Sequence, residues 1–295
     1  MNDPGELFAT GRTCALAVAG GRDLERWAAR YDGLFPPESF DSGLFGSLAM
    51  AGAFGSPWAS VTELRVVNRA SLLVFAVDRL FDEEAATRDE VAALTGACLE
   101  AAATDGSPRA PKAARHLAAF VADLRDELAA GPAFAALEGD WRERLGRMLT
   151  AMAREWEWSR GLTSPPGPEE YLANADSSGA LFIAVSHWIY SGEVTTPAGL
   201  ARLRAAGETV QRYLRLLNDL ATHRRESASG DVNALALGMT ADEVTARMTE
   251  LSREAAGLIG PLRGDHPRAA EYLWWQIHYS AGFYGLSDFW ASRNT

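Results

Sequence analysis

The spacing of oxygen-bearing side chains between residues 218 and 226 constrains the fold of this chain more than any other feature. Asn218, Thr222 and Glu226 follow one another at intervals of four residues. An α-helix with ~3.6 residues per turn places such residues on one side. The segment therefore predicts a helix with an amide oxygen, a hydroxyl and a carboxylate on one stripe. These donors suit a hard cation such as Mg²⁺, and the adjacent Arg224 and Arg225 suit an anion that shares the metal.

A second acidic site lies 140 residues upstream, where Asp78 and Asp82 are also four residues apart at the end of an apolar run. They too face one way if this segment is helical. Because they are so distant from Asn218 in sequence, only the fold brings the two sites together. Two facing helices with metal-binding oxygens would form a clamp for a phosphate or diphosphate bridged by Mg²⁺.

The composition and apolar spacing predict an all-α fold. Ala, Leu, Arg and Glu favour helix, and apolar residues recur at intervals of three and four rather than in strand-like alternation. We expect a single domain over residues 1–295, because the two Pro/Gly-rich breaks, at residues 104–108 and 163–168, are too short to be linkers. The predicted helices number about ten, at roughly 6–31, 42–54, 58–84, 89–103, 110–130, 134–162, 168–191, 197–226, 240–260 and 266–292.

The bulk properties exclude several functional classes. The net charge of −11 disfavours nucleic-acid binding. No apolar run reaches the ~18 residues expected of a membrane span, and the acidic N-terminus lacks the basic region of a signal peptide. Cys14 and Cys98 have no ligand-like spacing, which favours a reduced environment. A cytoplasmic protein is therefore expected.

One predicted helix, 168–191, contains an interruption. The polar and small residues 174–178 precede Gly179, and the sequence then becomes apolar from Ala180 onward. Glycine weakens a helix interior, so we expect a break there. Such a break exposes backbone dipoles, which can act on a charge if the break faces a cavity.

These motifs resemble those of the class I terpene synthases. Asn218, Thr222 and Glu226 match the second metal motif of that family, (N/D)Dxx(S/T)xxxE, and Asp78 and Asp82 are similar to the first and last aspartates of its DDxxD motif. The break at Gly179 corresponds to the kinked helix of the family. The resemblance covers roughly residues 60–290 and implies a helical bundle around a central apolar cavity.

The resemblance implies that an allylic diphosphate is ionised with the help of three Mg²⁺ ions. The expected ligands are Asp78, Asp82, Asn218, Thr222 and Glu226. Donors to the diphosphate are expected at Arg225, Arg224 and Arg215, and the kink region at Ala175, Ser178 and Gly179. The carbocation needs a dry, aromatic-lined cavity, for which the candidates are Phe75, Phe182, Trp188, Trp275, Phe283 and Tyr284.

Two positions depart from the family pattern. Arg79 replaces the second aspartate of DDxxD, and Ala175 stands where many bacterial members carry an arginine that senses the diphosphate. The stretch 171–179 and the C-terminal stretch 282–289 are more similar to bacterial labdane-related, kaurene-synthase-like diterpene synthases. That similarity implies a bicyclic substrate such as copalyl diphosphate.

Other functions remain open at the level of sequence. One alternative is direct cyclisation of linear geranylgeranyl or farnesyl diphosphate, and another is a non-catalytic helical scaffold with a degenerate fold, which Arg79 and Ala175 would favour. Prenyl-chain elongation fits less well, because its second motif is rich in aspartate. Homodimers are common in the resembled family, so a homodimer is one alternative for the assembly.

Overall fold

A computed structural model describes residues 3–103, 114–229 and 231–290, with the backbone alone described for residues 224–229. Within these ranges the chain is helical and contains no strand, which confirms the all-α prediction. The described residues form eleven α-helices: α1 (Pro4–Ala28), α2 (Ser42–Gly55), α3 (Leu64–Arg79), α4 (Arg88–Ala103), α5 (Arg115–Ala129), α6 (Phe134–Ser159), α7 (Pro168–Ala173), α8 (Ala180–Ser191), α9 (Pro197–Ser229), α10 (Ala241–Leu262) and α11 (Pro267–Tyr284). No helix in these ranges is both long and apolar enough to cross a membrane.

Two helices, α3 and α8, lie in the interior of the bundle. α8 is apolar nearly all round, as expected for a helix without a solvent-facing stripe. α3 is amphipathic, but most of its side chains are buried as well, including the polar Asn68, Arg69 and Arg79. They pack against each other, while α9 packs against α10 and α11 on another side of the bundle. The apolar side chains of the described residues form a contiguous core.

The predicted helix 168–191 is divided into three pieces, which accounts for the extra helix. Helix α7 ends at Ala173, a 3₁₀ turn spans Ala175–Ser178, and α8 begins at Ala180. Gly179 adopts the left-handed conformation with φ of 69°, which glycine enters at no steric cost. A Cβ at this position would also collide with the side chain of Val74. The break expected at Gly179 is therefore present, and only glycine fits it.

Both ends of the predicted helix 58–84 differ from expectation. The α-helix begins at Leu64, because Ser60 and Glu63 exchange hydrogen bonds between their side chains and backbones and hold the preceding residues in turns. After Arg79 the chain continues through one π-helical turn, Leu80–Glu84. Such turns widen a helix locally and are frequent at functional sites. Asp82 lies within this turn, so its direction differs from that of a regular helical residue.

Candidate active site

The predicted acidic sites line one cavity of about 650 Å³. Asp78 contributes from α3 and Asp82 from the π-turn, whereas Asn218 contributes from α9. The bundle thus brings together oxygen donors that are 140 residues apart in sequence, and both walls of the expected clamp face one space.

Asp82 lies among other carboxylates of the described residues, which shift its pKa. Its pKa is raised above the ordinary value by burial and by the negative charges of Asp78, Asp231 and Glu155, whereas Arg160 lowers it. Solvent still reaches the side chain, so the like charges are the firmer cause of the direction. A divalent cation would reverse this shift, because its charge favours the ionised carboxylates.

The amide of Asn218 is held by Tyr284 from α11. Asn218 Nδ2 donates a hydrogen bond to the Tyr284 hydroxyl at 3.1 Å. Since the nitrogen is occupied, Oδ1 is the atom of this amide suited to a metal ion. Orientation of a ligand by a neighbouring hydrogen bond is common at metal sites.

Of the other two donors of the second motif, Thr222 and Glu226, the structure describes only the side chain of Thr222. Thr222 is buried and does not line the cavity. Its hydroxyl donates a hydrogen bond to the backbone carbonyl of Asn218 at 2.8 Å. Its oxygen keeps a lone pair for a metal. The backbone of α9 continues past Glu226. The side chains of Arg224, Arg225 and Glu226 lie outside the described residues, so their roles stay predictions.

Arg215 lines the cavity, but its contacts differ from those expected of a diphosphate donor. Arg215 Nη2 lies 2.5 Å from Glu155 Oε1, Nε donates to the Tyr171 hydroxyl at 2.5 Å, and Nη1 donates to Ser177 Oγ at 3.1 Å. Nη2 also donates to the Val232 carbonyl. The planar fork is therefore engaged by the protein, and the expected diphosphate contact of Arg215 needs correction. Its contacts tie the helix break to α9.

Glu155 is the acidic centre of this network, and the sequence alone did not single it out. Burial raises its pKa to about 7, and the charge of Arg215 opposes that rise. Asp219, the residue after Asn218, is 1% exposed and accepts a hydrogen bond from the Tyr171 hydroxyl at 2.8 Å. Its other oxygen accepts from the backbone of Ala234. These contacts fix α9 against the break and the loop that follows α9.

The residues at the helix break occupy three different environments. Ser178 lines the cavity, Ala175 is buried away from the lining, and Gly179 contacts Val74 on α3. Gln211 on α9 spans the break, because its amide accepts from the backbone of Leu181 and donates to the carboxylate on the preceding 3₁₀ turn.

Two of the six predicted aromatic residues, Phe75 and Tyr284, line the cavity. The other four were expected to line the cavity but pack elsewhere. Phe182 packs against Trp141, Trp188 against Tyr272, Trp275 against Phe54, and Phe283 against Tyr279. On α11 the lining residues are Tyr272, Gln276, Ser280 and Tyr284.

The error at Trp275 and Phe283 has a simple geometric cause. Each precedes a lining residue by one position, which turns it away by about 100° around the helix. The cavity also has aromatic lining that the sequence did not indicate, namely Phe81, Trp156, Tyr272, Phe289 and Trp290.

Helix α6 supplies a wall that the sequence motifs did not reveal. Met152, Glu155, Trp156 and Ser159 line the cavity at helical spacing, and Arg160 follows at the helix end. Arg160 Nη2 donates to the backbone carbonyl of Asp82 at 2.7 Å. The spacing of these residues was visible in the sequence, but it does not distinguish a cavity wall from ordinary core.

The arrangement of donors fits Mg²⁺ that is shared with a phosphate ligand. Among the side chains that are described, no three acidic, histidine or cysteine residues form a closed metal site. Asp78, Asp82 and Asn218 instead occupy two walls of an open space. Mg²⁺ is usually bound by one or two carboxylates together with substrate phosphates and water.

Comparison with known proteins identifies the class. Residues 69–255 match the family model described as terpene synthase family 2, C-terminal metal binding. The chain belongs to the terpene synthase family and is a class I enzyme of that family. It is 30% identical over 285 residues to the ent-pimara-9(11),15-diene synthase of Streptomyces sp. (strain KO-3988), covering 92% of this chain and 91% of the relative.

Solved structures show the same fold at low sequence identity. The linalool/nerolidol synthase from Streptomyces clavuligerus, in complex with 2-fluorogeranyl diphosphate, matches with a TM-score of 0.72 at 17% identity, over 92% of this chain and 94% of that one. The 2-methylisoborneol synthase from Streptomyces coelicolor A3(2), in complex with Mg²⁺ and geranyl-S-thiolodiphosphate, also has a TM-score of 0.72 at 17% identity, over 95% and 92% of the two chains.

Proposed function

We propose that this terpene synthase ionises a bicyclic, labdane-type C20 diphosphate similar to copalyl diphosphate, cyclises the resulting carbocation and releases diphosphate. One observation carries the proposal. The two oxygen-bearing walls meet at an aromatic-lined cavity in a chain that is 30% identical to a pimaradiene synthase over most of its length. Pimaradienes are C20 hydrocarbons, and the sequence of residues 171–179 supports the same substrate class.

The proposed metal ligands are Asp78, Asp82, Asn218, Thr222 and Glu226, holding three Mg²⁺ ions. When bound, these ions stabilise the leaving diphosphate as Lewis acids and fix its position. Tyr284 binds the side-chain nitrogen of Asn218 and so leaves Oδ1 available for a metal ion. Arg224 and Arg225 are proposed donors to the diphosphate. Carbon–oxygen cleavage then transfers the bonding electrons to the diphosphate and leaves an allylic cation in the cavity.

The cavity wall governs what happens to that cation. Phe75, Trp156 and Tyr284 line the space, and aromatic faces stabilise a nearby cation by about 0.5–2 kcal/mol each. Ser178 lies at the helix break beside the same space. A volume of about 650 Å³ falls within the range of about 300–1,000 Å³ typical of ligand pockets. Because a cavity of this size does not distinguish bicyclic from linear diphosphates, linear substrates are the competing possibility.

Side-by-side incubation with copalyl, geranylgeranyl and farnesyl diphosphates tests the substrate class, with product analysis by mass spectrometry. We expect cyclic C20 hydrocarbon only from a copalyl diphosphate enantiomer. Cyclisation of a linear substrate at equal or higher kcat/KM would contradict the bicyclic assignment and support direct cyclisation.

Two variants test the metal walls independently. Asn218→Ala and Asp78→Ala should each lower kcat/KM by at least about a hundredfold, since each removes a ligand of the ion that activates the leaving group. Asp242→Ala is the matched control, because this carboxylate is exposed on α10 and does not line the cavity. Wild-type turnover in both cavity variants would rule out the metal assignment.

A further inference from the structure

Arg79 occupies an unusual position in the wall of the cavity. It follows Phe75 by one helical turn and lies in sequence between Asp78 and Asp82, and all four residues line the same space. Its side chain is only 9% exposed. Removing a guanidinium from water is costly unless partners compensate for the lost hydration. The contacts of this side chain therefore show how far the protein itself compensates the guanidinium.

The protein satisfies only part of the guanidinium. Arg79 Nη2 lies 2.5 Å from Glu84 Oε1, and Nε lies 3.3 Å from Glu83 Oε2. Both glutamates are 42–50% exposed on the π-turn, so water competes with these ion pairs. Nη1 has less than 1 Å² of accessible surface and no hydrogen-bond acceptor among the described residues. One edge of a buried cation in the cavity wall thus retains unused donor capacity.

The other two arginines of the cavity wall do not offer the same buried donor. The fork of Arg215 is engaged by Glu155, Tyr171 and Ser177. Arg160 is exposed at the end of α6 and donates to a backbone carbonyl. Of the arginine side chains that are described at this cavity, Arg79 is the one whose buried nitrogen lacks a protein acceptor.

We propose that Arg79 is a diphosphate-binding residue: its guanidinium turns into the cavity that this side chain lines, and Nη1 then donates to an oxygen of the substrate diphosphate. A planar guanidinium is well suited to phosphate oxygens. Its positive charge stands where the resembled motif has a negative one, so it neutralises part of the diphosphate charge without a metal ion. This inference rests on the proposed function, because it requires a diphosphate group in the cavity.

Calorimetric titration with inorganic diphosphate, with and without Mg²⁺, tests the inference apart from turnover. Arg79→Gln should weaken binding about tenfold or more under both conditions, as expected for loss of a hydrogen bond between charged groups. Glu84→Gln removes the main ion-pair partner but keeps the arginine, and should bind diphosphate at least as tightly as wild type. Arg88→Gln is a matched control, because Arg88 pairs with Glu157 outside the cavity lining.

The outcomes separate the possible failures. Equal affinity of wild type and Arg79→Gln would overturn the inference, and so would equal weakening in Arg79→Gln and Glu84→Gln, since Arg79 would then act through the helix end. A wild-type protein that binds no diphosphate even with Mg²⁺ would overturn the proposed function itself. Unfolding midpoints check that the variants are folded. If Arg79→Gln does not fold, Arg79→Lys keeps the charge without the fork, and unchanged binding in that variant would overturn the role of Nη1.

Discussion

Replacement of Gly179 by alanine should destabilise the protein for two separable reasons. The left-handed backbone at Gly179 costs an L-residue about 1–2 kcal/mol. The new Cβ would also lie 2.9 Å from Val74 Cγ1, closer still to Cγ2, and 3.3 Å from Met148 Sδ. Overpacking of this kind costs about 1–3 kcal/mol. Alanine restricts the unfolded chain, which offsets about 0.4–1 kcal/mol, so the expected net loss is about 2–4 kcal/mol.

Gly161 provides a control that isolates the backbone component. Its φ of 64° is nearly the same, but a Cβ added there would meet no atom within 4 Å. Gly161→Ala should therefore lose about 1 kcal/mol from strain alone. Urea unfolding of wild type and both variants measures the two losses. The difference between them reports the collision with Val74.

A double variant tests the assigned cause of that difference. Val74→Ala removes both methyl groups that the new Cβ would meet, so the losses from Gly179→Ala and Val74→Ala should fall short of additivity by about 1 kcal/mol or more. A Gly179→Ala loss no greater than that of Gly161→Ala would refute the reasoning. Strict additivity would do so as well.

Two further predictions concern the metal wall and the buried histidine. Tyr284→Phe should raise the Mg²⁺ concentration for half-maximal diphosphate binding about tenfold, because the Asn218 amide loses its orienting partner. Tyr279→Phe on the same helix is the control, and equal Mg²⁺ dependence in both would refute this role. Burial lowers the pKa of His187 to about 4, so the unfolded state takes up its proton first as pH falls below about 6.5. Wild type should therefore lose about 2 kcal/mol of unfolding free energy between pH 7 and pH 5, and His187→Gln should not show this loss. Urea unfolding of both proteins at the two pH values measures it. An equal change of unfolding free energy in the two proteins would exclude this contribution.

The sequence was sufficient for the features that depend on local spacing. Asp78 and Asp82, and Asn218 with Thr222, lie on helices because their four-residue intervals and apolar neighbours favour helix. Glycine at position 179 marked the break, because few other residues tolerate a positive φ. The helix predicted at 240–260 corresponds to α10, which begins with a reciprocal capping box between Thr240 and Glu243.

The features that depend on rotation and tertiary partners were not visible in the sequence. Periodicity shows that a helix has an apolar face, but α8 and α11 are apolar over several faces. The choice between Trp275 and Gln276 for the cavity therefore follows from packing. Arg215 looked like a ligand donor because its acceptor, Glu155, lies 60 residues away and is identified only by the fold. The π-turn likewise has a partner that is distant in sequence, because Arg160 at the end of α6 donates to the backbone carbonyl of Asp82.

The network of Arg215, Glu155 and Tyr171 limits how this enzyme can be recombined with its relatives. It joins α6, the helix break and α9 through buried charges. A chimera that imports α9 from another synthase without a matching α6 would leave Glu155 unpaired in the interior, at a cost of about 3–5 kcal/mol. Replacement of residues 168–191 would remove the hydroxyls of Tyr171 and Ser177 that accept hydrogen bonds from Arg215. Exchanges meant to change the product should therefore transfer these three segments together.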